Sequence, residues 1–345
     1  MRFAIAALLI VHGLLHLIGL FRPASAFWIT SAVLFITAGI MKALNRDEWW
    51  IAGALGLVLS QTLIILQWTD AKPGTIVNVL VALAVLVGFS TARFHRESER
   101  HVRALLERVP KHPPTIVTKE ELANLPPPVK RWLEVSGVVG KPRARSVRLE
   151  QRGTLRPSAT GPHLPAIATQ YFTLDDPGFV WMVDASMFGL PIVGRDTLSD
   201  GRGHMFIQAA GLVTVADGVG EKFDQGTVLR FLAELCWIPS GALAPWVHWD
   251  AIDDHSARAT ITVPTMTASA IFEFDQQGRL SGIAAKRYFN GETLEDWYIP
   301  ISTWKAFEGV TIPSAGGAQW KLAAGPFDYF QWEITDLKTN VISSA

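Results

Sequence analysis

His12 and His16 stand four residues apart in the string Val11-His12-Gly13-Leu14-Leu15-His16, so a helix would put both imidazoles on one face. Imidazole is the commonest metal ligand near neutral pH, and such a pair could hold a haem iron or a copper ion, or pass protons. Neutral rings could instead hydrogen-bond to polar groups such as Gln61 or Asn78 on neighbouring apolar segments. His12 and His16 are therefore the candidate metal ligands, with that second reading open. A denser cluster, His248, Asp250, Asp253, Asp254 and His255, offers a His-x-Asp spacing that a strand would present on one face. Asp253-Asp254-His255 also reads as a solvated tip between two strands. Cys236 is the sole cysteine, which excludes an intrachain disulfide and any multi-cysteine metal site. The chain has no Gly-x-Ser-x-Gly elbow, no phosphate-binding loop motif, no Cys-x-x-Cys and no complete dinucleotide fingerprint. Glu234 and Asp296 could serve as acid or base, but nothing in their surroundings selects them. No catalytic residue and no cofactor are expected.

The elements around the first histidines are apolar runs. Hydrophobic residues make up 49% of the 345 positions and charged ones 18%, and the charge is unevenly spread. Four runs, Phe3 to Phe21, Phe27 to Leu44, Trp49 to Trp68 and Ile76 to Phe94, carry no acid and only Lys42 and Arg93, both near run ends. Each approaches the ~20 residues needed to cross a bilayer, and Trp49, Trp50 and Trp68 fall where an aromatic belt would anchor the third. Residues 1–95 are thus expected to form a four-helix transmembrane bundle. One side would hold Arg2, Lys42, Arg46, Arg93, Arg96, Arg100 and Arg103, the other Arg22 and Lys72, so the remainder should face the cytoplasm. Arg2 with Ala24-Ser25-Ala26 also fits a cleavable leader. Cleavage would leave three spans and the same orientation.

Residues 96–137 read as a helical connector. Val102, Leu105, Leu106 and Val109 form an apolar stripe among Arg93, Arg96, Arg100, Arg103 and Arg108, suited either to a membrane interface or to packing on the following domain. Thr118 with Glu121 starts a short helix, and Trp132 and Leu133 would pin the next one to a sheet.

From residue 138 the pattern is β. Alternation is clean over Ser146 to Leu155, and Asp175-Asp176-Pro177-Gly178 and Asn290-Gly291 mark turns. Further strands are expected at Ile167 to Leu174, Phe179 to Ala185, Ile192 to Leu198, Met205 to Ala216, Ala259 to Val263, Ala270 to Asp275, Ile283 to Phe289, Leu294 to Pro300, Gln319 to Leu322 and Phe327 to Leu337. So many antiparallel strands should curl, because a flat sheet would leave long open edges. One helix, Thr227 to Trp237, interrupts them, with Leu229, Leu232, Ala233 and Cys236 on one stripe. Met182, Met187, Phe188, Phe206, Leu232, Trp237, Trp246 and Trp249 supply apolar bulk suited to a pocket for an irregular apolar ligand. The net charge of zero implies no attraction to nucleic acid. The expected partners are a membrane lipid or apolar small molecule and the lipid bilayer.

The strings Leu232-Ala233-Glu234-Leu235-Cys236-Trp237-Ile238-Pro239, Phe274-Asp275-Gln276-Gln277-Gly278-Arg279-Leu280, Ala318-Gln319-Trp320-Lys321-Leu322 and Phe327-Asp328-Tyr329-Phe330 resemble a bacterial family classed as a domain of unknown function. Its soluble part resembles the lipoprotein-carrier (LolA-like) fold over roughly Leu125 to Val341. That resemblance implies a curved antiparallel half-barrel, with the Thr227 to Pro239 helix as its plug, and it carries over no catalytic residue. Carriers of this fold work outside the cytoplasm, whereas the charge count here places the domain inside. A reporter fused at Ala345 should therefore be active only as a cytoplasmic marker; activity of a periplasmic marker would reverse the orientation.

Overall fold

The computed structural model describes residues 2–21 and 24–342; Arg22 and Ala345, used in the orientation argument, lie outside them. Two compact units form. The first holds the residues up to Glu97 together with two short segments, Phe188–Pro191 and Gln208–Val213. Its helices are α1 (Arg2–His16, continued by a 3-10 turn to Phe21), α2 (Ser25–Ala43), α3 (Trp49–Leu66), the single turn α4 (Trp68–Ala71) and α5 (Gly74–Glu107). Four of them are long and apolar enough to cross a bilayer. Glycine lets α1 and α2 touch: a Cβ on Gly13 would lie 2.9 Å from the Ala32 carbonyl, and one on Gly39 would lie 2.8 Å from the Ala6 carbonyl. Leu9, Phe35, Ala38, Trp49, Val81 and Val85 fill the interior. Leu14, Leu15, Val33, Leu55, Val58, Val79 and Leu83 point outward and are exposed. The bundle is thus apolar on its outer faces as well as inside, a pattern compatible with a hydrocarbon surround.

The second unit begins at Ser98, within α5. The helix expected to follow the fourth span is its uninterrupted continuation, so α5 runs for 34 residues. Its apolar stripe packs on the sheet rather than lying free for a membrane interface: Val102, Leu105 and Leu106 are buried against Val180. After it, the Thr118 N–H donates to Glu121 Oε2 at 2.8 Å, fixing the start of a 3-10 turn over Glu120–Leu122. Helix α6 (Pro127–Ser136) opens on proline and closes at Gly137 in the left-handed conformation. Trp132 and Leu133 do pin it down, the indole lying 6.0 to 6.3 Å from the rings of Phe274, Phe272 and Trp249.

Thirteen strands form one sheet: β1 (Ser146–Leu155), β2 (Leu164–Thr173), β3 (Gly178–Met187), β4 (Leu190–Ser199), β5 (Arg202–Ala209), β6 (Val213–Gly218), β7 (Val247–Asp253), β8 (Ser256–Val263), β9 (Met266–Phe274), β10 (Leu280–Phe289), β11 (Thr293–Phe307), β12 (Val310–Leu322) and β13 (Gly325–Thr339). The order β6-β5-β4-β3-β2-β1-β13-β12-β11-β10-β9-β8-β7 joins two meanders along a β1–β13 seam, in which Val147 faces Thr339. The single strand expected over Met205 to Ala216 is two, because Ala210 and Gly211 both take positive φ and turn the chain. Likewise the helix expected from Thr227 starts earlier: α7 spans Glu221–Glu234, and a 3-10 turn covers Leu235–Trp237. The strands expected at Leu294 to Pro300 and Gln319 to Leu322 are longer, as β11 and β12.

The sheet must curl. Laid flat, eight strand spacings of about 4.8 Å would separate β5 from β10 by roughly 38 Å, yet a helix is only about 10 Å across. Helix α7 nevertheless touches both: Asp224 Oδ1 accepts from the Gly203 N–H at 2.7 Å, and Gln225 Nε2 donates to the Lys286 carbonyl at 3.0 Å. At one end the curl closes on itself, where Thr265 Oγ1 donates to the Gly201 carbonyl at 2.8 Å. Only glycine fits there, since a Cβ on Gly201 would sit 2.3 Å from that hydroxyl. The result is a half-barrel with α7 as its plug.

An ion cluster ties the plug to the wall. Arg230 of α7 donates to Asp196 of β4 at 2.6 Å and to Glu234 at 2.8 Å, and Glu234 accepts from Gln170 of β2 at 2.7 Å. The guanidinium lies over Trp181 and Phe179, 4.7 and 5.0 Å from their ring centres. Burial pushes the carboxyls of Asp196 and Glu234 above the usual range, and Arg230 draws them back. Removing one partner of a buried ion group leaves the others uncompensated, so Arg230→Met is expected to cost about 3–5 kcal/mol. A carboxyl with a raised folded-state pKa binds its proton more tightly folded than unfolded, so its contribution to stability falls as pH rises. The deficit of Arg230→Met should therefore narrow between about pH 8 and about pH 5, read as thermal unfolding of the full chain in detergent; a deficit that widens on acidification would contradict this account.

Candidate functional site

In the first unit the two histidines are joined by a closed circuit of hydrogen bonds. His12 and His16 sit edge to face, with ring centres 4.6 Å apart. His16 Nδ1 donates to the His12 carbonyl at 2.9 Å, so in a neutral ring its Nε2 accepts, here from Ser60 Oγ of α3 at 2.8 Å. Ser60 in turn accepts from Asn78 Nδ2 of α5 at 3.0 Å, and Asn78 Oδ1 accepts from His12 Nε2 at 2.8 Å. The second Asn78 amide hydrogen goes to Gln61 Oε1 at 2.9 Å, and Gln61 Nε2 donates to Thr75 Oγ1 at 3.3 Å. One lone pair is left over, on the buried His12 Nδ1, which has no hydrogen-bond partner among the described residues. Among those residues no group of three or more His, Cys, Asp or Glu side chains is arranged to hold a metal ion. Three helices thus share one polar knot in an apolar bundle.

In the second unit a cavity of about 310 Å³ opens where the segment after α6, the turns after α7 and the strands β11 to β13 meet. Its apolar walls include Val138, Ala144, Trp237, Ile238, Ile312 and Leu337, and its polar lining includes Lys141, Glu308 and Thr339. Burial pushes the Glu308 carboxyl up, but hydrogen bonds from the Thr339 hydroxyl at 2.7 Å and amide at 3.0 Å outweigh it and hold the group ionised below the usual range. The Trp237 ring stands edge-on to Trp332 at 5.0 Å. Its indole N–H is buried with no acceptor among the described residues. An unmet buried donor costs about 1–3 kcal/mol, and here it belongs to a residue that lines a cavity.

The eight residues expected to hold an apolar ligand are not gathered in one place. Trp237 lines the cavity. Leu232 and Trp249 lie in the main core, with Trp249 Nε1 donating to the Ala242 carbonyl at 2.9 Å. Trp246 packs against that core, 5.6 Å from the Phe231 ring, and its Nε1 donates to the Leu174 carbonyl at 2.9 Å. Met182 packs with Val102, Leu105 and Leu106. Met187 and Phe206 are half-buried, and Phe188 is 92% exposed on a hairpin tip. The cluster at His248 is a strand end and a solvated tip: His248 and Asp250 are 3.2 Å apart and exposed, and Asp253 Oδ1 accepts from the His255 N–H at 2.8 Å. Asp296 pairs with Lys286 at 2.8 Å. Sequence reasoning missed Val138, Lys141, Ile238, Glu308, Ile312 and Leu337. They come from four separate segments and carry no shared spacing.

Asn78 holds the circuit together, so Asn78→Leu should lower the stability of the detergent-solubilised chain by about 1–2 kcal/mol, while Thr75→Val, at the periphery, should cost less than half of that. Equal losses in thermal unfolding would show that the knot is not centred on Asn78.

No curated protein matches the chain. Among solved structures it is similar to a LolA superfamily protein from Nitrosomonas europaea, with 10% identity, a TM-score of 0.33, and coverage of 66% of this chain and 95% of that one. It is also similar to a DUF1329 family protein from Desulfovibrio piger, with 9% identity, a TM-score of 0.36, and coverage of 67% and 96%. The four strings that pointed to a family of unknown function all lie within residues 115–332, the stretch matched by DUF6544, and the chain belongs to that family of unknown function.

Proposed function

We propose that the four apolar helices anchor the chain in a bacterial inner membrane and that the half-barrel is a non-catalytic binding or transfer module for a lipid or other apolar molecule, on the cytoplasmic side. The observation that carries this reading is the cavity of about 310 Å³, whose walls are largely apolar and include Trp237, Ile238, Ile312 and Leu337. Ligand sites combine mostly apolar lining with a few placed polar groups, and occupy about 300–1,000 Å³, so this one suits a small apolar molecule or a single chain end. The apolar part of a ligand would displace water from the walls of the cavity. Lys141 and Glu308 would remain at the polar part of the lining.

The full chain in detergent should take up a fluorescent fatty acid, and native mass spectrometry should find a lipid-sized adduct on the purified protein. Trp237→Ala removes an apolar wall of the cavity, so affinity should fall about five- to tenfold, the equivalent of roughly 1 kcal/mol of lost apolar contact. Ala144→Phe, which fills the cavity, should abolish uptake. A folded protein that binds no such molecule, or binds it equally well after both changes, would overturn the reading.

A further inference from the structure

Five hairpin turns share one construction. In each, a residue X and a following glycine both take positive φ, as in a type I′ turn: Phe188-Gly189, Asp200-Gly201, Ala210-Gly211, Asn290-Gly291 and Glu308-Gly309. That conformation favours Asn, Asp or Gly at X and disfavours bulky side chains. Three of the five turns carry Asp, Asn or Glu there, and all three belong to the half-barrel unit. The two with an apolar X are Phe188-Gly189 and Ala210-Gly211, and these two segments belong to the compact unit of the four helices.

Phe188 is the sharpest case. A phenylalanine with φ 52° sits where its backbone is unfavourable, and 92% of its surface contacts nothing in the chain. Neither the turn nor a core explains it. Leu190, Leu212 and Val213, flanking the two turns, are exposed as well. The second turn touches α5 backbone to backbone: a Cβ on Gly211 would lie 2.6 Å from Thr91 N and 2.7 Å from Ser90 C. Ser90 and Thr91 lie near the end of the fourth apolar run, three and two residues before Arg93. That is the level at which a span passes from hydrocarbon to headgroups, where aromatic and aliphatic side chains are stabilised beside arginine.

We infer that the tips Phe188–Leu190 and Ala210–Val213 are embedded in the bilayer, at the boundary between acyl chains and headgroups beside the end of the fourth span. The occupant of their apolar surface is lipid. The inference rests on the reading of the four helices as membrane spans, and the experiment separates the two.

The full chain would be reconstituted in phosphatidylethanolamine and phosphatidylglycerol vesicles, with an environment-sensitive fluorophore on single cysteines introduced by Phe188→Cys, Leu212→Cys, Val79→Cys or Asn290→Cys. Cys236 is buried, and Cys236→Ala provides the background. Leu212→Cys leaves the Phe188 turn intact, so a folding defect at one tip does not decide the result. Labels at 188 and 212 should be quenched by nitroxide lipid and shielded from aqueous iodide, as at 79, which is exposed on α5, the fourth apolar run. The label at 290, on a turn of the same construction, should show the reverse. If 79 is quenched by lipid while 188 and 212 behave like 290, the tips are in water and the inference fails. If they are shielded from both quenchers, a protein covers them and the inference fails equally. If 79 is itself open to iodide, the spanning reading falls and takes this one with it.

Discussion

Two short helices, α6 of 10 residues and α7 of 14, have to cover the inner face of a thirteen-stranded sheet, and the curl of the half-barrel answers that mismatch. A helix can shield only what lies within a side chain's reach, so the strands come to it, and the sheet bends until β5 and β10 meet the same few residues of α7. Bending concentrates the inward side chains. It brings Asp196 and Gln170 against Arg230 and Glu234 of α7, where aromatic faces and opposite charges replace the water each group loses. The plug is shorter than the sheet it fills, and beyond its last α-helical residue the chain continues in 3-10 turns that leave the cavity beside Trp237.

The helical unit answers the opposite problem. The outer faces of its apolar runs are mostly aliphatic, so a polar side chain placed within those runs is best satisfied inside. Four side chains and one backbone carbonyl achieve this as a ring, with Gln61 branching from Asn78, and within the ring the count closes except at His12 Nδ1. Such a ring sets the rotation of α1, α3 and α5 more sharply than aliphatic contacts can, because a turn of any one of them would break at least two interhelical hydrogen bonds.

What could be read in the sequence was whatever is local. The four apolar runs declare themselves by composition, the Asn290-Gly291 turn by its dipeptide, and the Thr118–Glu121 start by its spacing; Asn78 could even be named as a partner for the histidines, since few polar residues compete for that role at membrane depth. Ala210-Gly211 escaped because alanine and glycine between β-forming neighbours look like a strand that continues. The Asp196–Arg230 pair escaped for a different reason. It links a strand to a helix across 34 positions, and no periodicity connects such residues until the sheet has curled. The cavity is harder still, because each lining residue obeys the ordinary alternation of its own segment.

The β1–β13 seam has a consequence for how the protein is made. Each meander is a run of neighbouring hairpins with short loops, so most strand pairs form between residues close in sequence and should form early. The seam pairs Val147 with Thr339, a closure across nearly the whole second unit, and it waits on the last strand to be synthesised. Until that strand leaves the ribosome, β1 is an edge with unpaired amides and carbonyls, open to mispairing with another nascent chain. Truncations near the C-terminus would therefore harm the yield of folded protein far more than the few contacts they delete would suggest.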